Sequence, residues 1–389
     1  MQRRQFIRVS GGGFIAAAVL GSATLSGCSS DLPSAAIEAW QAPALAEQAD
    51  VRRWLVSHAL LAPHSHNLQS WLVDLKVPNE ITLYLDRSRL LPETDPWSRQ
   101  MMMSQGTFLE LLDLAARQKG LRADIELFPQ GEFEARTVDA RPTARIKLSA
   151  DASVQKDPLF AQIFKRHTNR EAYLPKEPTA NALQVITQNA SMPGMRLGFV
   201  GGAQAPQLEQ HRAIAIAAWR IELITPRTIM ESMKVLRVGP TEIAQYRDGI
   251  SLNAPMVRAL AAVGLFDRSK APGPDDSATT KQIKDFNAKI ASTPAFFWMI
   301  TEGNGRKTQI NAGRAYVRAQ LAATAQGLSM QPISQALQEY PEQAKPYADI
   351  HALVGANPAS ATVQMWTRLG YAPAIGPSPR RGLAAHILA

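Results

Sequence analysis

An α+β fold built from two like halves is what this sequence predicts, and three observations predict it. A sixteen-residue phrase occurs twice: residues 106–121 read GTFLELLDLAARQKGL and residues 313–328 read GRAYVRAQLAATAQGL, with six identities. Each phrase carries apolar residues at helical spacing and closes on a Gly placed for the left-handed position past a helix end. Short alternating segments of strand type stand around both phrases. Two halves packed as a dimer packs would let one keep an active site while the other forms its wall. The competing reading is two Ala/Leu helices that are alike by chance.

The first thirty residues read as an address rather than as fold. Arg3-Arg4-Gln5-Phe6-Ile7 resembles a twin-arginine export signal, which a weakly apolar stretch follows to Leu25. That stretch is too short and too Gly-rich to stay in a bilayer as a helix. Leu25-Ser26-Gly27-Cys28 resembles a lipobox, which predicts lipidation at Cys28. Residues 29–49, rich in Ser, Ala and Pro, then form a tether.

A first half is expected over residues 50–160: a helix over 50–61, strands over 81–85, 125–127 and 146–148, and a long helix over 98–119 bearing the first phrase. A second half follows over 161–389, with strands over 195–200 and 295–301 and a helix over 311–326 bearing the second phrase. From Trp71 to the first phrase is 35 residues, whereas from Leu197 to the second is 116. About 80 extra residues, roughly 211–289, therefore form an insertion with a lid-like character.

Composition narrows the function classes. The formal net charge is +9, and losing Arg3, Arg4 and Arg8 with the signal lowers it to +6. No dense Lys/Arg run is present, which argues against nucleic acid. Cys28 is the sole cysteine, so disulfides, thiolate metal sites and a cysteine nucleophile are excluded. A large exported chain without disulfides suits folding in a reducing compartment before export.

Three clusters could carry chemistry. Residues 62–71, Ala-Pro-His-Ser-His-Asn-Leu-Gln-Ser-Trp, form a turn between helix and strand that is dense in hydrogen-bonding side chains. Residues 166–170, Arg-His-Thr-Asn-Arg, gather two guanidiniums, an imidazole and a hydroxyl, and Arg forks match phosphate oxygens in charge and geometry. Pro379-Arg380-Arg381 is a second cationic group. Two such groups could clamp one phosphomonoester. His64 and His66 alternate, but no third metal ligand is evident.

Together these segments resemble the nitroreductase family of flavin-mononucleotide (FMN) proteins, and within it the Acg-like branch. The 62–71 turn is similar to the family's Ala-Pro-Ser-x-x-Asn-x-Gln-Pro-Trp segment, departing at His64 and Ser70. Residues 166–170 resemble its Arg-rich cofactor segment. Residues 327–334, Gly-Leu-Ser-Met-Gln-Pro-Ile-Ser, look like the turn that runs along the isoalloxazine. Pro379-Arg380-Arg381 resembles its C-terminal basic pair.

The resemblance implies a nitroreductase-like fold and one FMN. Arg166, Thr168, Arg170, Arg380 and Arg381 would hold the phosphate, with His167 on the ribityl chain or the ring edge. Pro63, His64, Ser65, Asn67 and Gln69 would approach from the first half. Pro332, Ile333 and Ser334 would lie along the flavin, with a backbone N–H near its N5. Family members are typically homodimers of chains about half this length. Here the first-half turn and the second-half segments each occur once, which implies an intramolecular pseudo-dimer, working as a monomer, with its reciprocal site lost.

The implied function is an exported oxidoreductase that passes hydride or electrons to a small acceptor. Its electrons would come from a membrane or periplasmic donor. The alternative is a protein that stores FMN beneath a lid.

Overall fold

A computed structural model describes residues 32–41, 50–202, 206–264 and 266–389. The segments expected to be an export signal with its Cys28 and most of the expected tether lie outside them. The chain folds as α+β. After the short helix α1 (Ser34–Ile37) and its 3-10 continuation to Trp40, the first half runs α2 (Val51–Ala59), β1 (Trp71–Asp74), β2 (Glu80–Leu85), α3 (Arg99–Gln118), β3 (Leu121–Leu127) and β4 (Ala144–Ala150). The second half opens with α4 (Ala180–Ala190) and β5 (Met195–Gly201). It resumes, after the insertion, with β8 (Ala295–Glu302), α10 (Arg306–Ala325), β9 (Ser329–Pro332), α11 (Ala344–Leu353) and β10 (Ala361–Gly370).

Both halves make one four-stranded antiparallel sheet of the same order. The first is β1-β2-β4-β3 and the second β5-β8-β10-β9. In each, a twenty-residue helix joins the second strand to the third. Gly120 and Gly327, the closing glycines of the two phrases, have φ of 67° and 69°, the left-handed conformation expected of them.

The two long helices cross where the phrases begin, and the crossing is reciprocal. A Cβ on Gly106 would stand 1.9 Å from the Ile310 carbonyl oxygen, and one on Gly313 would stand 1.9 Å from that of Met103. Each glycine thus meets the residue three positions before its counterpart. Arginines at the two helix starts repeat the exchange. Arg99 donates to the second-half carbonyls of Leu337 and Gln364, both at 2.8 Å, and pairs with Glu339 at 2.6 Å. Arg306 donates to the first-half carbonyls of Glu134 (3.0 Å), Trp97 (2.7 Å) and Thr137 (3.0 Å). Glu110, mid-helix and buried, binds Arg314 and Arg318 across the crossing, each at 2.8 Å. Because α3 is enclosed on nearly every side, even Arg99, Gln105, Glu110 and Asp113 are buried in it.

The insertion sits between β5 and β8, where the first half has only a tight hairpin from β1 to β2. It comprises α5 (Pro206–Ile224), α6 (Pro226–Lys234), β6 (Leu236–Val238), α7 (Gly239–Tyr246), β7 (Ile250–Leu252), α8 (Pro255–Ala262) and α9 (Ser277–Ala291). It is therefore longer at both ends than the 211–289 span expected from spacing. It also does two jobs. Helix α5, joined by α11, buries the outer face of the second sheet through Ala215, Ala218, Phe296, Ile300, Ile350 and Trp366. Residues 226–262 have a small core of their own around Ile229, Met233, Leu236 and Leu252, and reach back to the first half. There Glu231 accepts from the Glu93 and Thr94 amides, each at 2.9 Å, and Asp248 pairs with Arg89. The first sheet keeps its outer face in solvent, with Arg122, Asp124, Glu126 and Lys147 exposed.

Strand β10 went unseen in the sequence because, enclosed on both faces, it has a nearly continuous burial pattern and no alternation. Helices α4 and α11 were not anticipated either.

Replacing Gly106 or Gly313 by Ala should cost about 3 kcal/mol, as overpacking against rigid backbone does. Gly327→Ala, with nothing within 4 Å of the new methyl, should cost only about 1 kcal/mol, from its positive φ. Urea unfolding of the three variants checks both.

Candidate functional site

The 62–71 turn owes its shape to three residues with positive φ, His66 (48°), Asn67 (55°) and Gln69 (55°), all of them polar. Such backbone costs free energy unless the surroundings hold it, and here almost every polar atom is held. His64 sets its Nδ1 2.7 Å from the Ser65 carbonyl, while its Nε2 accepts from the Ser70 amide at 3.1 Å and meets Ser70 Oγ at 2.6 Å. These partners require a neutral ring protonated on Nδ1. Burial drives its pKa down to about 3, and Arg380 and Arg381 push it the same way. Pro63 offers its carbonyl to Thr107 Oγ1 at 2.8 Å, and Ser65 Oγ donates to Gln100 Oε1 at 3.2 Å. His64 and His66 do not converge, since His66 Nε2 faces Ser232 Oγ of the insertion at 3.4 Å.

Asn67 and Gln69 tie the turn to the insertion and to the C-terminal tail. Asn67 Nδ2 donates to Gly249 O (3.3 Å) and Pro379 O (3.0 Å), and its Oδ1 accepts from Arg380. Gln69 Nε2 donates to Arg247 O at 2.9 Å, and its Oε1 accepts from the Arg381 amide at 2.8 Å.

The end of α2 explains why arginines gather here. A helix C-terminus leaves carbonyls unpaired and carries partial negative charge. Carbonyls 60, 61 and 62 just past α2 accept in turn from Arg380 Nε (3.1 Å), Arg166 Nη2 (3.0 Å) and Arg380 Nη2 (3.1 Å). Arg166 and Arg380 are both nearly inaccessible to solvent. Burial lowers their pKa values to about 10 and about 9, and Arg166 further lowers that of Arg380. His167 beside them is pushed to about 4 by burial and by both guanidiniums.

The remaining site residues divide. Thr168 bridges in parallel to Met330, which extends the edge strand β9 and brings the 166–170 segment alongside Pro332. Arg170 is solvent-accessible, yet surrounding protein desolvates it and lowers its pKa. It makes no hydrogen bond or ion pair among the described residues. Close by, the buried Arg166 Nε and Tyr316 hydroxyl have no hydrogen-bond partner, and both arginines act electrostatically on Tyr316. Buried polar atoms without partners are uncommon and call for an explanation. Neither atom is solvent-accessible, so of these groups it is the exposed Arg170 that fits a phosphate.

Three expectations change. Arg380 and Arg381 do not form one clamp: the first lies near Arg166, while the charged neighbours of the second are Arg89, Asp248 and Asp86. Successive side chains on extended chain diverge, and the Arg380 donors go to protein oxygens. Ile333 faces the outer core, fully buried, rather than the cationic cluster. Its N–H donates to Trp366 O at 2.8 Å; Pro332 has none, so the backbone donor there falls to Ser334. Sequence reasoning missed Tyr316, whose place on a helix within a repeat reads as core, and Trp40, whose ring centroid lies 5.2 Å from that of His167.

No family model matches the chain. Over 345 residues, 86% of this chain and 90% of the relative, it is 26% identical to a "Putative NAD(P)H nitroreductase" of Mycobacterium tuberculosis, with the same figures in two strains. The chain is similar to a nitroreductase along most of its length. Among solved structures it is similar to the FMN-dependent nitroreductase of Mycobacterium smegmatis in complex with NADPH, at 17% identity and a TM-score of 0.36, covering 58% of this chain and 94% of that one. It is also similar to a nitroreductase with bound FMN from Bacteroides fragilis, at 14% and 0.31, covering 56% and 89%.

His64 offers a pH signature. Its folded pKa lies below its unfolded one, so its neutral-state contribution is complete above about pH 6.5 and shrinks as pH falls toward about 3. His64→Asn should therefore destabilise by about 1–2 kcal/mol at pH 8, and the gap to the natural chain should narrow at pH 5. Chemical denaturation at the two pH values measures it.

Proposed function

We propose that the chain is an exported FMN-dependent oxidoreductase of nitroreductase type, holding one FMN between two halves that form an intramolecular pseudo-dimer. The observation that carries this reading is the exposed, unpaired Arg170 guanidinium beside the buried charge of Arg166. Similarity to a nitroreductase over 86% of the chain supports it. The repeated sheet order and the reciprocal glycine crossing support the pseudo-dimer, in which the second half stands where a second subunit would and the chain acts as a monomer.

FMN, when bound, supplies redox chemistry toward small organic acceptors. Arg170 and Thr168 would bind its phosphate, with the buried charge of Arg166 adding attraction, while Arg380 keeps the turn in place through Asn67. His64, Ser65, Asn67 and Gln69 would form the first-half wall. The Ser334 N–H is a backbone dipole able to favour charge that develops on a reduced ring. No protein acid or base is required. Residues 232 and 247–249 of the insertion touch the turn, and this favours, as second reading, a store that keeps the flavin covered.

Titrating the purified chain with FMN should give one flavin per chain, and a ratio near two would exclude a single site. After anaerobic photoreduction, mixing with menadione or nitrofurazone should reoxidise the flavin within seconds. Flavin that ignores both acceptors would favour storage.

We further propose export by the twin-arginine pathway and anchoring at Cys28. No helix among the described residues is long and apolar enough to cross a membrane. Cys28→Ala should move the protein from the membrane to the soluble fraction, and replacing Arg3 and Arg4 by Lys should retain it in the cytoplasm. An exported enzyme lies apart from nicotinamide nucleotides, so its donor would be a quinol, a cytochrome or a small reductant.

A further inference from the structure

The described segment 32–41 lies over the cationic cluster. It is held at four points. The Arg380 amide donates to Ala36 O at 2.8 Å, and Trp40 Nε1 donates to Ser378 O at 2.7 Å. The Trp40 ring lies 5.2 Å from that of His167, and the Arg380 guanidinium carbon stands 5.3 Å from its centre. Glu38 reaches Arg247 of the insertion at 3.5 Å. Ala36 is fully buried beneath this arrangement.

These contacts join the elements that meet at the 62–71 turn. Asn67 Nδ2 joins Gly249 to Pro379, while the segment joins Arg247 to residues 378–380 and adds His167.

The hold is slight. Two hydrogen bonds contribute about 1 kcal/mol each, an exposed ion pair adds less, and a cation–π contact adds roughly 0.5–2 kcal/mol. A short element held this way opens far more readily than the core beneath it. An element that is ordered, weakly held and seated over a cationic cluster has the properties of a closure.

We infer that Ser34–Trp40 closes the cofactor site, with Trp40 as the positioning residue that covers His167 and Arg380. This rests on the flavin reading for the identity of the ligand, though not for the closure itself. The segment lies just downstream of the export signal, so the chain takes up its ligand while the segment is open and retains it once the segment docks. A closure governs entry and exit together, whereas a wall contact governs exit alone.

The test uses the full chain, Trp40→Ala, Trp40→Phe, and Lys345→Ala as a distant exposed control. Stopped-flow quenching of flavin fluorescence gives the association rate, and dilution gives the release rate. Trp40→Ala should raise both about tenfold, the factor that one lost cation–π and hydrogen-bond contact allows, and leave the dissociation constant within about threefold. Trp40→Phe keeps the ring and should restore most of the difference. In the flavin-free chain, diethylpyrocarbonate should modify His167 faster in Trp40→Ala, as read by peptide mass spectrometry. Unchanged rates in a folded Trp40→Ala, or a rise in release alone, overturn the closure, and so does unchanged His167 modification. A natural chain that takes up no FMN overturns the flavin reading, and faster His167 modification would still stand for a closure over another anion.

Discussion

Everything in this molecule is referred to one contact, the crossing of two twenty-residue helices at Gly106 and Gly313. With each glycine's missing side chain filled by the other helix's carbonyl, the backbones touch, and no other residue type permits that approach. The contact maps onto itself when the halves are exchanged. Elements placed relative to one helix are therefore placed relative to the other, and a turn from the first half can be set against a segment from the second with little freedom.

Arginine is the means by which the halves are then fastened. Arg99 and Arg306 cross the interface in opposite senses onto backbone carbonyls, and Arg166 and Arg380 do the same at the end of α2. A planar fork can satisfy several carbonyls at once, and it stays charged where a lysine would lose its proton. The four are buried largely against oxygens that are dipoles rather than full charges; Glu339 is the exception. The concentration of positive potential beside His167 and Arg170 follows from this arrangement. Of these residues Arg166 alone lies both in the fastening and in the 166–170 segment, since Arg380 spends its donors on protein oxygens.

Symmetry ends at the outer surfaces. The insertion buries the back of the second sheet and sends residues 226–262 over to the first half, where they touch the turn at His66, Asn67 and Gln69. Among the described residues nothing comparable covers the first sheet. The N-terminal segment and the C-terminal tail add to the same side. One of two formally equivalent regions is thus enclosed from several directions.

Much of this was legible in the chain itself. The repeated phrase, the two long helices, their left-handed terminal glycines and the strands β2, β3, β4, β5 and β8 are local in origin, set by periodicity and by the conformational freedom of glycine, and so they appear in the order of residues. The 62–71 turn and the 166–170 segment were visible as dense groups of hydrogen-bonding side chains. What could not be seen was where each side chain spends its donors. Arg380 reads like a ligand for phosphate and instead binds carbonyls 60 and 62 and Asn67; Ile333 reads like a wall and lies in a core; Tyr316 and Trp40 read like core and tether and stand beside the cluster. Strand β10, enclosed on both faces, lost the alternation that marks a strand. Periodicity records which face of an element is buried. Which buried partner receives a proton or a charge depends on contacts between residues up to 344 positions apart (Ala36 and Arg380), and only the tertiary structure brings those together.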